Sequence, residues 1–365
     1  MANRTLVYVG TYTEPEFGGS AEGIYTFALD IERGTLAPHA PAFHAANPSY
    51  LAVHERRRLL FAVHELSKID GEPTGAVSAY TIEERTGALS RLNGATTGGR
   101  GPCYVAVDSR CTTLLVANYG AGSVAAVPID SAGRLGEAAA VHRHEGSSVN
   151  RSRQEAPHAH AAVFSPDERT VYVPDLGIDK VKGYRFDGES GVLTPTPELD
   201  VSTGPGAGPR HIAFHPDRPF AVLACELDST VTSLRYDPDS GALQPAATIS
   251  ALPEGDAGES TCAAIRVHPG GRWVYVSNRG HDSIACLELD AESGELRAAG
   301  HFSTGGRTPR DFALDPSGRV LIAANQDGDS MVVFSIDTQS GALTRRSTVE
   351  TPTPVCVVPT TLPAG

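Results

Sequence analysis

Short apolar runs, separated by polar turns rich in Gly, Pro and Asp, recur along the whole 365-residue chain. Runs of this length bounded by turn signals read as strands. They come in a fixed order. A Pro or small residue leads into an apolar run and a turn, as in NPSYLAVHE, GPCYVAVDS, PHAHAAVFSPD, GPRHIAFHPD, TCAAIRVHPG, TPRDFALDPS and finally TPVCVVPT. Each of the first six is followed by a more apolar run: LLFAVHE, LLVANYG, VYVPDLG, AVLACEL, VYVSNRG and LIAANQD. A third kind (TFALD, AYTIE, AVPID, GYRFD, SLRYD, CLELD, VFSID) alternates apolar and polar positions, as half-exposed strands do.

The third run ends each time in a turn that closes on Gly-x-Leu. Its glycines are Gly34, Gly87, Gly133, Gly191, Gly241, Gly294 and Gly341, at spacings of 46 to 58 residues. Glycine there supplies the positive φ of a hairpin between two strands. The opening LVYVGTYT matches the second run of the unit and lacks a first; the closing Pro354 to Val358 matches the first and lacks a second. The two ends therefore complete one unit. Seven four-stranded units closed in this way predict an all-β, seven-bladed propeller with antiparallel blades, whose closure leaves no open sheet edge. The expected organisation is one domain over residues 1–365. Its first blade takes residues 5–46 with 353–359, and the others begin near 47, 101, 156, 208, 262 and 308.

Gly208 to Thr230 shows how such a ring gathers chemistry. The start of one strand, His211 to Phe214, and the end of the next, Phe220 to Cys225, lie at the same edge of an antiparallel pair. Arg210 and Glu226 then face one surface. Around the ring, residues at the start of each first strand are Ser49, Cys103, His158 or His160, Arg210, Ala263, Arg310 and Val355. Residues leaving the second strands are Thr11 with Tyr12, His64 with Glu65, Asn118 with Tyr119, Asp175, Glu226, Asn278 and Arg279 with His281, and Asn325 with Gln326.

Composition sharpens this picture. The net charge of −13 argues against a nucleic-acid or anionic-membrane surface, so an anion must be held by a local cluster of Arg or Lys. The expected mouth is rich in Arg, His, Asn and acid, which suits a small oxygen-rich anion better than a protein interface. Arg210–Glu226 alone reads as a structural ion pair. Arg279, Arg310 and His160 beside it change that reading, because neighbouring cations repel unless an anion is bound. Asn118, Asn278 and Asn325 recur at equivalent positions, as turn caps first and ligands second.

His158-Ala-His160 resembles a metal pair, but no further ligand stands at conventional spacing, and no metal is assigned. Neither a Gly-x-Ser-x-Gly elbow nor a Gly-rich phosphate loop occurs. Six cysteines lack CxxC spacing and most fall in apolar runs, which reads as buried thiols in a reduced, cytoplasmic chain. No stretch at the start reads as a signal peptide, and none elsewhere reads as a membrane span. Two long connections, Val141 to Ala156 and Ser250 to Thr261, lie on the Arg210 face as surface loops or lids; the first carries Arg151, Arg153 and Gln154.

The motifs YVGTYT, NPSYLAVH, GPCYVAVD with LLVANYGAGSV, PHAHAAVFSPD with VPDLGIDKV, GPRHIAFHPD with ELDSTV, VSNRGHDSI, and PRDFALDPSG with AANQDGDS carry a family likeness. From about Leu6 to Val358 the chain resembles the bacterial seven-bladed propeller 6-phosphogluconolactonases and their relatives, the fungal carboxy-cis,cis-muconate cyclases. The resemblance implies an active site of His160, Arg210, Glu226 and Arg279, with His158 as the alternative histidine. It implies hydrolysis of a sugar lactone, foremost 6-phosphoglucono-1,5-lactone. His160 would be the general base, Glu226 an ionised orienting group, and Arg210 and Arg279 the charge for an oxyanion or phosphate. Arg310, His158, His211, Asn118, Asn278 and Asn325 complete the expected substrate-binding set. This chemistry calls for no cofactor. The expected partner is a small anionic sugar lactone, with no nucleic acid or membrane, and the chain is expected to be a monomer or weak homo-oligomer. Three readings stand beside hydrolysis: a muconate-type lactonising cyclase, a non-catalytic binding propeller, and a metal-dependent gluconolactonase-type propeller.

Overall fold

A computed structural model describes residues 4–255 and 258–362. Among them the strands form seven antiparallel sheets, six of four strands and one with a fifth, two-residue strand at Val201–Ser202. No α-helix occurs among the described residues, and no helix is long and apolar enough to cross a membrane. Arg4–Thr11 pairs with Gly23–Asp30 on one side and with Pro354–Leu362 on the other, with Val9 opposite Val357. The chain's two ends thus close the ring as one blade of a seven-bladed propeller.

The core is divided as the fold demands. Seven apolar clusters among the described residues each lie between one blade and the next. Val7 and Val9 of the first blade pack with Val320 and Ile322 of the seventh, so the closing interface is built like the others. Because both faces of a blade are covered, second strands such as Thr113–Asn118 and Val320–Asn325 are buried along their whole length. The third strands are more buried than their alternation implies. Ser123–Pro128 exposes only Pro128, since a neighbouring blade covers the face that a lone sheet would leave to water.

All seven marker glycines have positive φ, between 65° and 85°, in the hairpins joining third to outer strands. Several of these turns also lock blade to blade. Tyr8 Oη donates to Gly87 O at 2.8 Å, Tyr275 Oη to Gly341 O at 2.9 Å, and Ser347 Oγ to Gly34 O at 2.7 Å. All six cysteines are free and buried.

Candidate active site

First strands begin with a recurring irregularity. In the fifth blade, Pro209 lies opposite Cys225 and His211 opposite Ala224, so Arg210 is an extra residue in the ladder. Arg310 stands in the same relation between Pro309 and Asp311, and Cys103 between Pro102 and Tyr104. A β-bulge of this kind breaks the alternation of side chains and re-aims them. Both Arg210 and His211, and likewise Arg310 and Asp311, consequently line the channel.

Ser49, Cys103, His160, Arg210, Arg310 and Val355, from six different blades, meet around one small cavity. It opens into a larger one of about 240 Å³, whose ionisable lining includes Glu65, Arg153, His160, Glu226, Arg279 and Arg310, with Tyr12, Phe17 and Tyr119 as aromatic walls. A cavity of about 320 Å³ between the fourth and fifth blades, lined by Val201, Leu223, Thr232 and Leu234, holds one carboxyl group, Asp228, and no cation. Convergent charge sets the channel mouth apart as the candidate site.

Glu226 is its centre. Buried to 2% exposure, it has Arg210 Nε at 3.0 Å and Arg279 Nη2 at 2.9 Å from Oε2, and Arg153 Nη2 at 2.6 Å from Oε1. The Arg210 Nε–H is not directed at the oxygen, so that contact is an ion pair without an aligned hydrogen bond. Burial alone would raise the Glu226 pKa, but Arg279 and Arg210, then His160 and Arg153, outweigh it and hold the carboxyl well below its ordinary range. Arg210 is pushed down to about 10 by its own burial and by Arg279, and it stays protonated at neutrality.

Arg310 is placed differently. Its guanidinium stands 5.3 Å over the Tyr12 ring, and among the described residues it forms no ion pair with a carboxylate within 4.0 Å. Tyr12 Oη in turn donates to Glu65 Oε2 at 2.9 Å.

His160 is 5% exposed, with its Nδ1 3.8 Å from Cys103 Sγ and its ring edge-on to Tyr119 and His211. Burial, reinforced by the charge of Arg210, lowers its pKa well below the usual histidine value, so it is neutral at neutral pH. Burial and Arg210 depress His211 in the same way. The Cys103 thiol is pushed up by burial, then by Glu65, and stays uncharged.

Five expected residues, His160, Arg210, Glu226, Arg279 and Arg310, are brought together, with His211 directly beneath. Four others are not brought to the cavity. The His158 ring stacks on Tyr119 at 4.5 Å, with Nδ1 3.1 Å from Tyr119 O and Nε2 3.3 Å from Glu155 Oε1. Among the described residues no three His, Cys, Asp or Glu side chains gather as a metal would require. Asn118, Asn278 and Asn325 are fully buried, each aiming Nδ2 at a serine five positions on: Ser123 at 3.2 Å, Ser283 at 3.4 Å and Ser330 at 3.4 Å. They brace the loop between second and third strands.

Arg153 is expected from the sequence only as part of a surface loop or lid. The segment before His160 is fastened by buried Gln154, which donates to Leu176 O at 2.9 Å and to Asp179 Oδ1 at 2.7 Å. Of the second long connection, residues 256 and 257 lie outside the described residues. Among the described residues, the large hydrophobic side chains that stand exposed are Val149 and Val192.

The profile of the family described as "Lactonase, 7-bladed beta-propeller" matches residues 6–359. A 6-phosphogluconolactonase of Bacillus subtilis is 41% identical over 351 residues, covering 96% of this chain and 97% of its own. A protein of the same name from Formosa agariphila is 28% identical, over 85% and 86% of the two chains. Among solved structures, the periplasmic gluconolactonase of Pseudomonas aeruginosa superposes with a TM-score of 0.91 at 33% identity, covering 99% of this chain and all of the other. The chain belongs to the lactonase family of seven-bladed β-propellers, enzymes that open a cyclic carboxylic ester with water.

Proposed function

We propose that the protein hydrolyses 6-phospho-D-glucono-1,5-lactone to 6-phosphogluconate in the cytoplasm, within the pentose phosphate pathway. The observation that carries this reading is the charge of the site. Arg153, Arg210, Arg279 and Arg310 face Glu226 and Glu65, while the third carboxyl group of the lining, Asp311, is paired with Arg266 at 2.9 Å, which leaves an excess of two cations in a chain of net charge −13. Such an excess suits a phosphate dianion, and Arg310 is the cation not already occupied by a carboxylate. The size also fits: about 240 Å³ is below the roughly 300–1,000 Å³ of drug-sized sites.

In this mechanism neutral His160 takes a proton from water as its oxygen attacks the lactone carbonyl carbon. The carbonyl π electrons move to oxygen, and Arg279 and Arg210 meet the negative charge. Collapse of the tetrahedral species breaks the bond to the ring oxygen, which takes back the proton from His160 and leaves as the sugar hydroxyl. Glu226 fixes the arginines and favours the transient imidazolium. A lactone is an activated ester, so a base worth ~10²–10⁴-fold and oxyanion donors worth ~10²–10³-fold each are adequate.

The test is the rate of loss of the phosphorylated lactone in a coupled assay, beside unphosphorylated gluconolactone and a muconate. His160→Ala, Arg210→Ala and Glu226→Ala should each lower kcat by ~10²-fold or more. Arg310→Ala should raise KM for the phosphorylated lactone and spare the unphosphorylated one. Preferential turnover of the muconate, or full activity in the first three variants, defeats the proposal.

A further inference from the structure

On the channel face, the loop between second and third strands repeatedly ends in a residue of left-handed conformation. Asp179, Asp282 and Asp329 occupy this place in the fourth, sixth and seventh blades, at φ 52°, 54° and 44°. Each carboxylate reaches across to the next blade and accepts a backbone N–H two residues ahead of a channel residue. Asp179 Oδ1 accepts from Gly208 N at 2.8 Å, Asp282 Oδ1 from Thr308 N at 2.8 Å, and Asp329 Oδ1 from Thr353 N at 2.8 Å. Gly208, Thr308 and Thr353 are themselves left-handed, at φ 65°, 58° and 36°, and a proline follows each. Arg210, Arg310 and Val355 come next.

Asp179 does more than its counterparts. Its Oδ2 also accepts from Gly206 N at 2.7 Å and from Ser148 Oγ at 2.5 Å, while Oδ1 accepts from Gln154 Nε2 at 2.7 Å. One buried carboxylate therefore ties down both the loop that presents Arg153 and the strand start that presents Arg210, two of the three cations that reach Glu226. Asp282 Oδ1 also accepts from Gly280 N of its own turn at 3.2 Å, and beyond that turn it holds the start of the strand that presents Arg310. Asp329 holds the start of a strand that presents uncharged Val355, and Thr353 keeps two further bonds to Tyr12.

We infer that Asp179 and Asp282 are positioning residues with separable effects: Asp179 sets Arg210, which meets the charge on the reacting carbonyl, and Arg153, which braces Glu226 beside it, while Asp282 sets Arg310, which holds the substrate's phosphate. This deepens the proposed function and rests on its division of labour. A merely structural tether predicts that all three aspartates behave alike, since all three make the same backbone bond.

Steady-state kinetics on the phosphorylated lactone distinguish these outcomes. Asp179→Asn turns an N–H donor toward a cluster of donors and should lower kcat about tenfold or more, with KM within about twofold. Asp282→Asn should raise KM about tenfold with kcat nearly unchanged, and Asp329→Asn should leave both within about twofold. Should Asp179→Asn not fold, Gln154→Ala removes one of its four donors and carries the same expectation at smaller size. Calorimetric titration with inorganic phosphate reads the placement of Arg310 without turnover: Asp282→Asn should weaken it, and Asp179→Asn should not. Equal kcat and KM effects in the Asp179 and Asp282 variants overturn the inference. So does unchanged phosphate affinity in Asp282→Asn, or absent phosphate binding by the wild type. Inactivity of the wild type on the lactone with the phosphate pattern intact defeats the functional reading alone.

Discussion

Arg153 closes on Glu226 from outside the repeat: its Nη2 stands 2.6 Å from Oε1, though 73 positions separate the two. Arg210 and Arg279 approach the other carboxylate oxygen from strands. Arg153 alone comes from a long connection, and its side chain is 39% exposed.

That exposure limits its energetic weight. A partly solvated ion pair is worth about 1 kcal/mol, so Arg153→Ala should lower kcat/KM by about fivefold and leave thermal stability within a degree or two. Arg153→Lys should recover part of the loss, because a point charge replaces the fork. A loss of about 10³-fold would instead place Arg153 on the reacting atoms.

The rate should hold up in acid. A base must be unprotonated to accept a proton, and His160 is held well below the ordinary histidine pKa by burial and Arg210. Between pH 8 and about 6.5, kcat/KM should therefore be flat, with the acid limb falling only below the ordinary value of about 6.5. An acid limb centred at or above that value excludes His160 as the base.

Stability should follow pH in the same direction. Below about pH 6.5 the unfolded chain takes up protons at His160 and His211, while the folded chain, with both pKa values lowered, does not. The unfolded state then binds more protons, so stability rises with pH and is lost as pH falls, by up to roughly 1.4 kcal/mol per pH unit for each histidine. Glu226, whose folded pKa is depressed, adds to the loss only in stronger acid, below its unfolded value of about 4.3. Urea melts at pH 7 and pH 5.5 on wild type and His211→Asn check this: the variant should show a shallower decline.

The blade turns are testable separately. Gly341 has φ 71°, and a Cβ there would stand 2.7 Å from Cys286 Sγ and 2.7 Å from the Trp273 ring. Gly341→Ala should cost about 2 kcal/mol or more, from left-handed strain of roughly 1–2 kcal/mol plus overpacking. Tyr275→Phe, which removes one hydrogen bond to the same turn, should cost about 1 kcal/mol. Denaturant midpoints with unchanged slopes distinguish these from changes in the fold.

The repeat was legible because hairpins need glycine at positive φ and buried strands need apolar runs, and both demands are local. Seven turns and seven strand starts sufficed to count blades and to join the chain's ends. The mouth residues His160, Arg210, Glu226, Arg279 and Arg310 were readable for a related reason: strand order alone assigns an edge to each. What strand order misassigned were side chains whose direction depends on neighbours. His158 shares its strand start with His160 yet stacks on Tyr119, and the three asparagines turn to serines in their own loops. Arg153 lies in a segment with no periodicity, so only the tertiary structure sets it on Glu226. The bulges that aim Arg210 and Arg310 into the channel are likewise decided by long-range pairing. Each needs an extra residue opposite a partner strand, a left-handed residue two places earlier and a carboxylate from the preceding blade. Sequence determines which groups a ring can gather at one end; packing between blades decides which of them touch.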